Sequence, residues 1–295
     1  MVFGTAKQWL VTLDGQPLNH ATDSLERRCI DVEGWHSRAP IHVPVVERTY
    51  GPGAFAIEGR AGARVLAIVG QLTAVGRDLV AHEVETLDAL APTGHIALTV
   101  TDRTLGARTM TVQCTDAPEV VWRGGPVASY RLPLYAASPF KYGTTSTGST
   151  GFASEGSAVG QGLEWPLFVG TGMLSWGTPP APGEVGLATV VNPGTATAWP
   201  VFKVTGPAPA GGFEIVDTTA GFSVRYLGDL PAGSVLVIDT ADGSAAIDET
   251  ADRTGDLIVT GWPSVPPGGE TTFRFAPLTG GSSAVLTVEA TAAYW

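Results

Sequence analysis

A chain of 295 residues with 38 Gly, 22 Pro and only 3 Met is long enough for two domains of ordinary size, and its composition favours short strands joined by turns over long helices. A formal charge of −11 excludes a binder working through a basic footprint, because neutralising phosphates requires clustered Lys and Arg. The charge is also uneven: residues 1–137 hold 12 Lys+Arg against 14 Asp+Glu, a net of −2, whereas residues 138–295 hold 5 against 14, a net of −9, which marks two regions with different surfaces.

The opening segment MVFGTAKQWLVTLDG lacks the basic stretch and long apolar core of a signal peptide. No later apolar run approaches the roughly 18 residues of a membrane span, so synthesis in a reducing cytoplasm without membrane insertion is the expectation. QWLVTLDG, RRCIDVEG, IHVPVVERTY, AFAIEG and RVLAIVGQL read as strands separated by glycine turns. Cys29 and Cys114 fall in no CxxC motif and read as two buried thiols rather than a disulfide.

One helix interrupts the strands. In GRDLVAHEVETLDALAPTG, Leu79, Val80, Val84, Leu87 and Ala91 recur at helical spacing, with Pro92 and Gly94 as the stop. HIALTVTDRTLGARTMTVQC then alternates as two arms around a turn near 102–106, a hairpin whose arms can project from the body. KYGTTSTGSTGFASEGSAVGQG is nearly all small polar residues and reads as a linker or loose strap. Beyond it, PLFVG, GLATVVNPG, AWPVFKVTG, GFEIVD, GFSVRYLG, SVLVIDT, AAIDE, DLIVTG, TTFRFAP and AVLTVEATAAYW form a series of short strands without helices, which predicts an antiparallel sandwich. The expected division is a domain over 1–140, a Gly/Ser/Thr-rich linker over 141–162 and a second domain over 163–295.

Catalytic and metal signatures are missing: the sequence has no GxSxG elbow, phosphate loop, HExxH, paired CxxC or EF-hand spacing. No cofactor, no metal and no catalytic residue is expected. The five histidines, His20, His36, His42, His82 and His95, read as surface or capped imidazoles, with His82 solvated on the helix. The eight tryptophans are more often core than sugar platforms in a β-sandwich. VLVIDTADGSAAIDETADRTGDLIVTG gathers Asp239, Asp242, Asp248, Glu249, Asp252 and Asp256. Calcium loops place oxygens at alternate positions of one bent loop, and a glycosidase needs two carboxyls across a cleft. The Asp-Gly turn between two apolar runs instead favours a solvated hairpin.

The order of these elements resembles a known family. GFSVRYLGDLPAGSVLVIDTADGSAAID followed by DLIVTGWPSVPPGGETTFRF is similar to the C-terminal domain of siphovirus distal tail proteins. LPLYAASPFKYG resembles that family's junction, with Ser138-Pro139 where Asp-Pro is common. LEWPLFV and NPGTATAWPVFKVTG resemble the opening of its second domain and the strand pair that follows.

The resemblance implies a mainly β fold: an N-terminal β-sandwich or split-barrel belt domain with one helix and a projecting hairpin, and a C-terminal galectin-like antiparallel β-sandwich. It also implies a distal-tail or minor tail protein of the virion, a homo-oligomer forming a six-fold ring at the tail tip between the tail tube protein and the tail hub or baseplate, with no enzymatic role. The lumen of such a ring is expected to lack a continuous Lys/Arg stripe, since basic walls bind exiting DNA. Carbohydrate binding to host-surface glycans is the alternative, with Trp176 and Trp262 as candidate contacts. A polysaccharide hydrolase using Asp239 and Asp248 is a third reading.

Overall fold

The computed structural model describes residues 9–89, 94–152, 186–279 and 283–295. PLFVG, LEWPLFV, Trp165, Trp176 and Ala91 lie outside the described residues. The chain divides into two compact units, Met1–Gly143 with Tyr294–Trp295, and Thr144–Ala293.

In the first unit, one antiparallel sheet runs Glu119–Gly124, Val127–Ala136, Arg64–Ala74 and Leu25–Glu33. A second joins Trp9–Leu13 to Ile96–Asp102 and that strand to Gly106–Cys114. The sheets touch at one corner, where Leu134 faces Cys114 and Tyr135 faces Gln113. Alternate residues of the sheets, among them Val11, Leu13, Leu66, Ile68, Leu98, Met110, Val112 and Leu132, point inward and form one buried core, as period-two patterning requires. The helix Arg77–Ala89 buries Val80 and Leu87, and Val84 packs against the core beside them. Leu79 stays exposed, so the buried stripe is narrower than the sequence spacing indicated. Arg27, buried, forms an ion pair with Glu83 on the helix at 2.8 Å and so holds it to the sheet.

The hairpin of residues 95–114 does not project. Ile96, Leu98, Val100, Met110 and Val112 are all core residues, because Ile96–Asp102 pairs along its length with Trp9–Leu13. The ribbon that does stand out is residues 41–61, described below.

The second unit is a sandwich. One sheet has the order Leu187–Asn192, Gly269–Pro277, Phe213–Asp217, Ser223–Tyr226, Leu257–Val259; the other has Ala251–Asp252, Ser244–Ile247, Val235–Asp239, Val201–Thr205, Val285–Tyr294 and then Lys141–Gly151. Phe202 and Phe273, both fully buried, meet edge to face at 5.1 Å across the interior. Residues 141–151, whose composition reads as the start of a linker, are therefore a strand. Its backbone pairs with Val285–Tyr294, and Thr145 and Thr291 share a hydroxyl hydrogen bond of 2.9 Å. Backbone pairing needs no apolar side chain, so a Ser/Thr/Gly run can still complete a sheet.

Two buried groups of the first unit have opposite titration behaviour. The Lys141 ammonium donates to the Trp35 carbonyl at 3.0 Å. Burial, and then Arg64 and Arg108, lowers its pKa from the usual 10.5 to about 8. Burial, and then Asp31, pushes the Cys29 thiol up from 9.0 to about 12. Between pH 8 and 10.5 the unfolded chain keeps the Lys141 proton that the folded chain has lost, so stability rises with pH through that window. Above pH 9 the folded chain keeps the Cys29 proton that the unfolded chain has lost, so stability falls. Thermal unfolding at pH 7 and pH 10 should show wild type gaining on Lys141→Met by at most about 3 kcal/mol and losing ground to Cys29→Ala. Parallel pH curves for all three proteins would remove the assignment.

Candidate subunit interface

After Trp35 the chain leaves the body as a two-stranded ribbon. Ile41–His42 pairs with Arg60–Ala61, Ile41 facing Ala61 and His42 facing Arg60. Gly62 donates to the Pro40 carbonyl at 2.7 Å, Phe55 to Val46 at 2.9 Å and Arg48 to Gly53 at 3.1 Å, so the arms stay together up to a tip at Tyr50. Alternation places Ile41, Val43 and Val45 on one side. The absence of a side chain at Gly59 admits two of them: a β-carbon there would stand 2.6 Å from Ile41 Cγ2 and 2.9 Å from Val43 Cγ2. His42 and Arg60, facing each other, take the other side. Toward the tip the pairing shifts by one residue, with Glu47 facing Ala54.

The apolar side chains of the ribbon are exposed: Val43 is 56% exposed, Val45 71%, Phe55 57% and Tyr50 94%. A lone two-stranded ribbon is marginally stable in water, and exposed apolar surface concentrated on one element marks a surface suited to association. The sequence carried a signal for it: Pro44 inside IHVPVVE cannot donate to a sheet, and Gly51-Pro52-Gly53 makes the tip.

Of the sequence candidates, Trp262 is half-buried and lies against the turn at Gly243, where a β-carbon would be 3.0 Å from its Cζ2. It is not an open platform. Trp176 lies outside the described residues. Of the six described tryptophans only Trp35 is buried, so the expectation of core tryptophans holds for one. All five histidines are exposed.

The acidic stretch is a hairpin, Val235–Asp239 pairing with Ser244–Ile247. Its acids serve local turns: Asp239 Oδ1 accepts from the Ala241 amide at 2.8 Å, Asp248 Oδ1 from the Val235 amide at 2.9 Å and Asp252 Oδ1 from the Thr254 amide at 2.9 Å. That last bond is the main cause of the lowered Asp252 pKa. Among the described residues, no group of three or more His, Cys, Asp or Glu is placed to hold a metal ion. At the junction, Ser138 Oγ accepts the Phe140 amide at 3.3 Å, the hydrogen bond an aspartate at that position can also make.

Residues 193–290 match the family model of the siphovirus-type tail component, C-terminal domain. Among solved structures, the Dit (gp 19.1) protein of phage SPP1 aligns over 98% of this chain and 100% of its own, with a TM-score of 0.65 at 15% identity. The activated baseplate of phage P2 with calcium aligns over 96% and 97%, with a TM-score of 0.49 at 8% identity. No curated protein sequence matches the chain. The resemblance to siphovirus distal tail proteins is thus met by sequence in the C-terminal domain and by fold over nearly the whole chain: residues 193–290 match the siphovirus-type tail component C-terminal domain, on a chain with the fold of SPP1 Dit.

Proposed function

We propose that this protein is a structural subunit of the tail tip of a long-tailed phage, forming a closed, six-fold ring that joins the tail tube to the tail hub or baseplate of the virion. The observation that carries this reading is the match of residues 193–290 to a tail-component domain. The SPP1 protein of the same fold is described as a paradigm of hub adsorption apparatus in phages infecting Gram-positive bacteria, and the exposed ribbon of residues 41–61 is a surface suited to association. A structural rather than enzymatic role accords with that family. Glycan binding finds no support at Trp262, which is partly covered.

Size-exclusion chromatography with light scattering, followed by negative-stain electron microscopy, tests the ring. Copies carrying −11 each repel one another at low ionic strength, and salt screens exposed charges beyond about 10 Å at 0.1 M. The ring fraction should therefore increase as salt rises from low values. A strict monomer at high concentration would sink the reading. Rings that dissolve steadily with added salt would reverse the charge argument, and tight, salt-sensitive binding of double-stranded DNA would contradict a lumen without a basic stripe.

A further inference from the structure

Two residues from far along the chain complete the first unit. Tyr294 and Trp295 group with residues 1–143, although the strand Val285–Tyr294 that delivers them pairs with Val201–Thr205 of the sandwich. The Arg108 guanidinium lies 3.8 Å from the Tyr294 ring centroid. Trp295 meets the Phe140 ring at 4.8 Å, and the Arg38 guanidinium lies 4.8 Å from the Trp295 ring centroid. Arg38 belongs to the loop of residues 34–40, from which the ribbon departs.

That loop is held at two levels. Lys141 Nζ donates to the Trp35 carbonyl at 3.0 Å and lies 5.6 Å from the Trp35 ring centroid, while Arg64 Nη1 donates to the same carbonyl at 3.3 Å. Trp35, Arg64 and Lys141 are each at most 5% exposed. Nearer the ribbon the hold is by stacking, with Arg38 exposed and Trp295 half-buried. A cation over an aromatic face at such a site shifts an equilibrium by roughly two- to five-fold, whereas losing a buried donor costs roughly five- to a hundred-fold. The stacked contact is therefore the one that opens first, as the weaker parts of a structure do. The root of the ribbon closes just beyond it, where the Gly62 amide donates to the Pro40 carbonyl at 2.7 Å.

We infer that Tyr294 and Trp295 form a latch on the root of the ribbon: Arg108 seats Tyr294 on the strand Gly106–Cys114, and Trp295 holds Arg38 and, through it, Pro40. A closed latch restrains the ribbon, and an open one frees its root. The buried bonds at Trp35 keep the near end of the loop fixed in both states, so opening loosens the ribbon without unfolding the unit. All of these residues belong to the first unit, and the latch holds whether or not the protein forms a ring.

Amide hydrogen exchange on the full chain, resolved at Gly62, tests the latch. Trp295→Leu keeps apolar cover on Phe140 and removes the aromatic face; Arg38→Gln keeps most of the side-chain length and removes the cation. Each should speed Gly62 exchange roughly two- to five-fold. The double variant should be no faster than either single one, since each change already opens the same contact. The Trp35 amide, bonded to the Val32 carbonyl at 3.1 Å, and the strand Arg64–Ala74 should keep wild-type rates. Unchanged Gly62 exchange in either variant, or effects that multiply in the double variant, would overturn the latch. Faster exchange throughout the unit would overturn it as well, because Trp295 would then be an ordinary packing residue. Arg38 is exposed, so Arg38→Gln supplies the test if Trp295→Leu does not fold. Arg38→Lys, a cation with poorer stacking, should then fall between wild type and Arg38→Gln, and a rate matching or exceeding that of Arg38→Gln would count against the stacked contact.

Discussion

Replacing Arg64 with methionine is expected to destabilise the first unit by roughly 3–5 kcal/mol, lowering its melting temperature by about 10 °C. Arg64 is 2% exposed, and its guanidinium is spent on backbone carbonyls. Nη1 donates to Gly34 at 3.1 Å, Trp35 at 3.3 Å and Ser37, while Nη2 donates to Pro139 at 3.0 Å. It thereby fixes the loop that launches the ribbon to the turn that ends the unit. Methionine fills the volume but leaves carbonyls buried without donors, and each such group costs about 1–3 kcal/mol. Lysine should recover little, since one ammonium cannot reproduce a planar fork reaching four acceptors. Burial already lowers the Arg64 pKa, and the cation is retained because these carbonyls replace its water. Differential scanning calorimetry decides the matter, and a shift under about 3 °C for the methionine variant would mean the loop holds itself.

The second large effect is expected at Asn192, which is fully buried in the second unit. Its Nδ2 donates to Ala196 at 2.8 Å, Val265 at 3.2 Å and Pro266 at 3.2 Å. Its Oδ1 accepts from Gly194 at 2.9 Å and Ala293 at 3.4 Å. One side chain thus satisfies the backbone of three separate segments. Asn192→Leu should cost roughly 2–4 kcal/mol. Asn192→Asp should cost more, because it loses the amide donors and buries a charge beside carbonyl oxygens. Amide hydrogen exchange should show faster exchange at Ala196, Val265 and neighbouring residues, with Arg64–Ala74 unaffected. Exchange rising first in the other unit would contradict the assignment.

By itself the sequence determined whatever depends on neighbours a few residues apart. The helix at Arg77–Ala89 was legible because its buried residues recur at a fixed angular period. The acidic hairpin was legible because Asp239 and Asp252 bond to amides two residues on. The ordered turns and strands of the C-terminal half carried the family resemblance that the match over 193–290 bears out.

Only the tertiary structure decided which alternating segments become core. Val43 and Val45 alternate as regularly as Leu98 and Val100, yet the first pair is exposed and the second buried. The difference is a partner: Ile96–Asp102 pairs with Trp9–Leu13, some 90 residues earlier, whereas the described pairing of residues 41–61 is with themselves alone. The strand Lys141–Gly151 is the converse case, a polar run made regular by Val285–Tyr294 from the far end of the chain. Arg64 and Asn192 are ordinary polar residues in the sequence and become hubs because long-range folding brings otherwise orphaned backbone groups around them. Period and turn chemistry are local and can be read along the chain. Long-range pairing and burial depend on which distant segment arrives, so they become visible only in the folded protein.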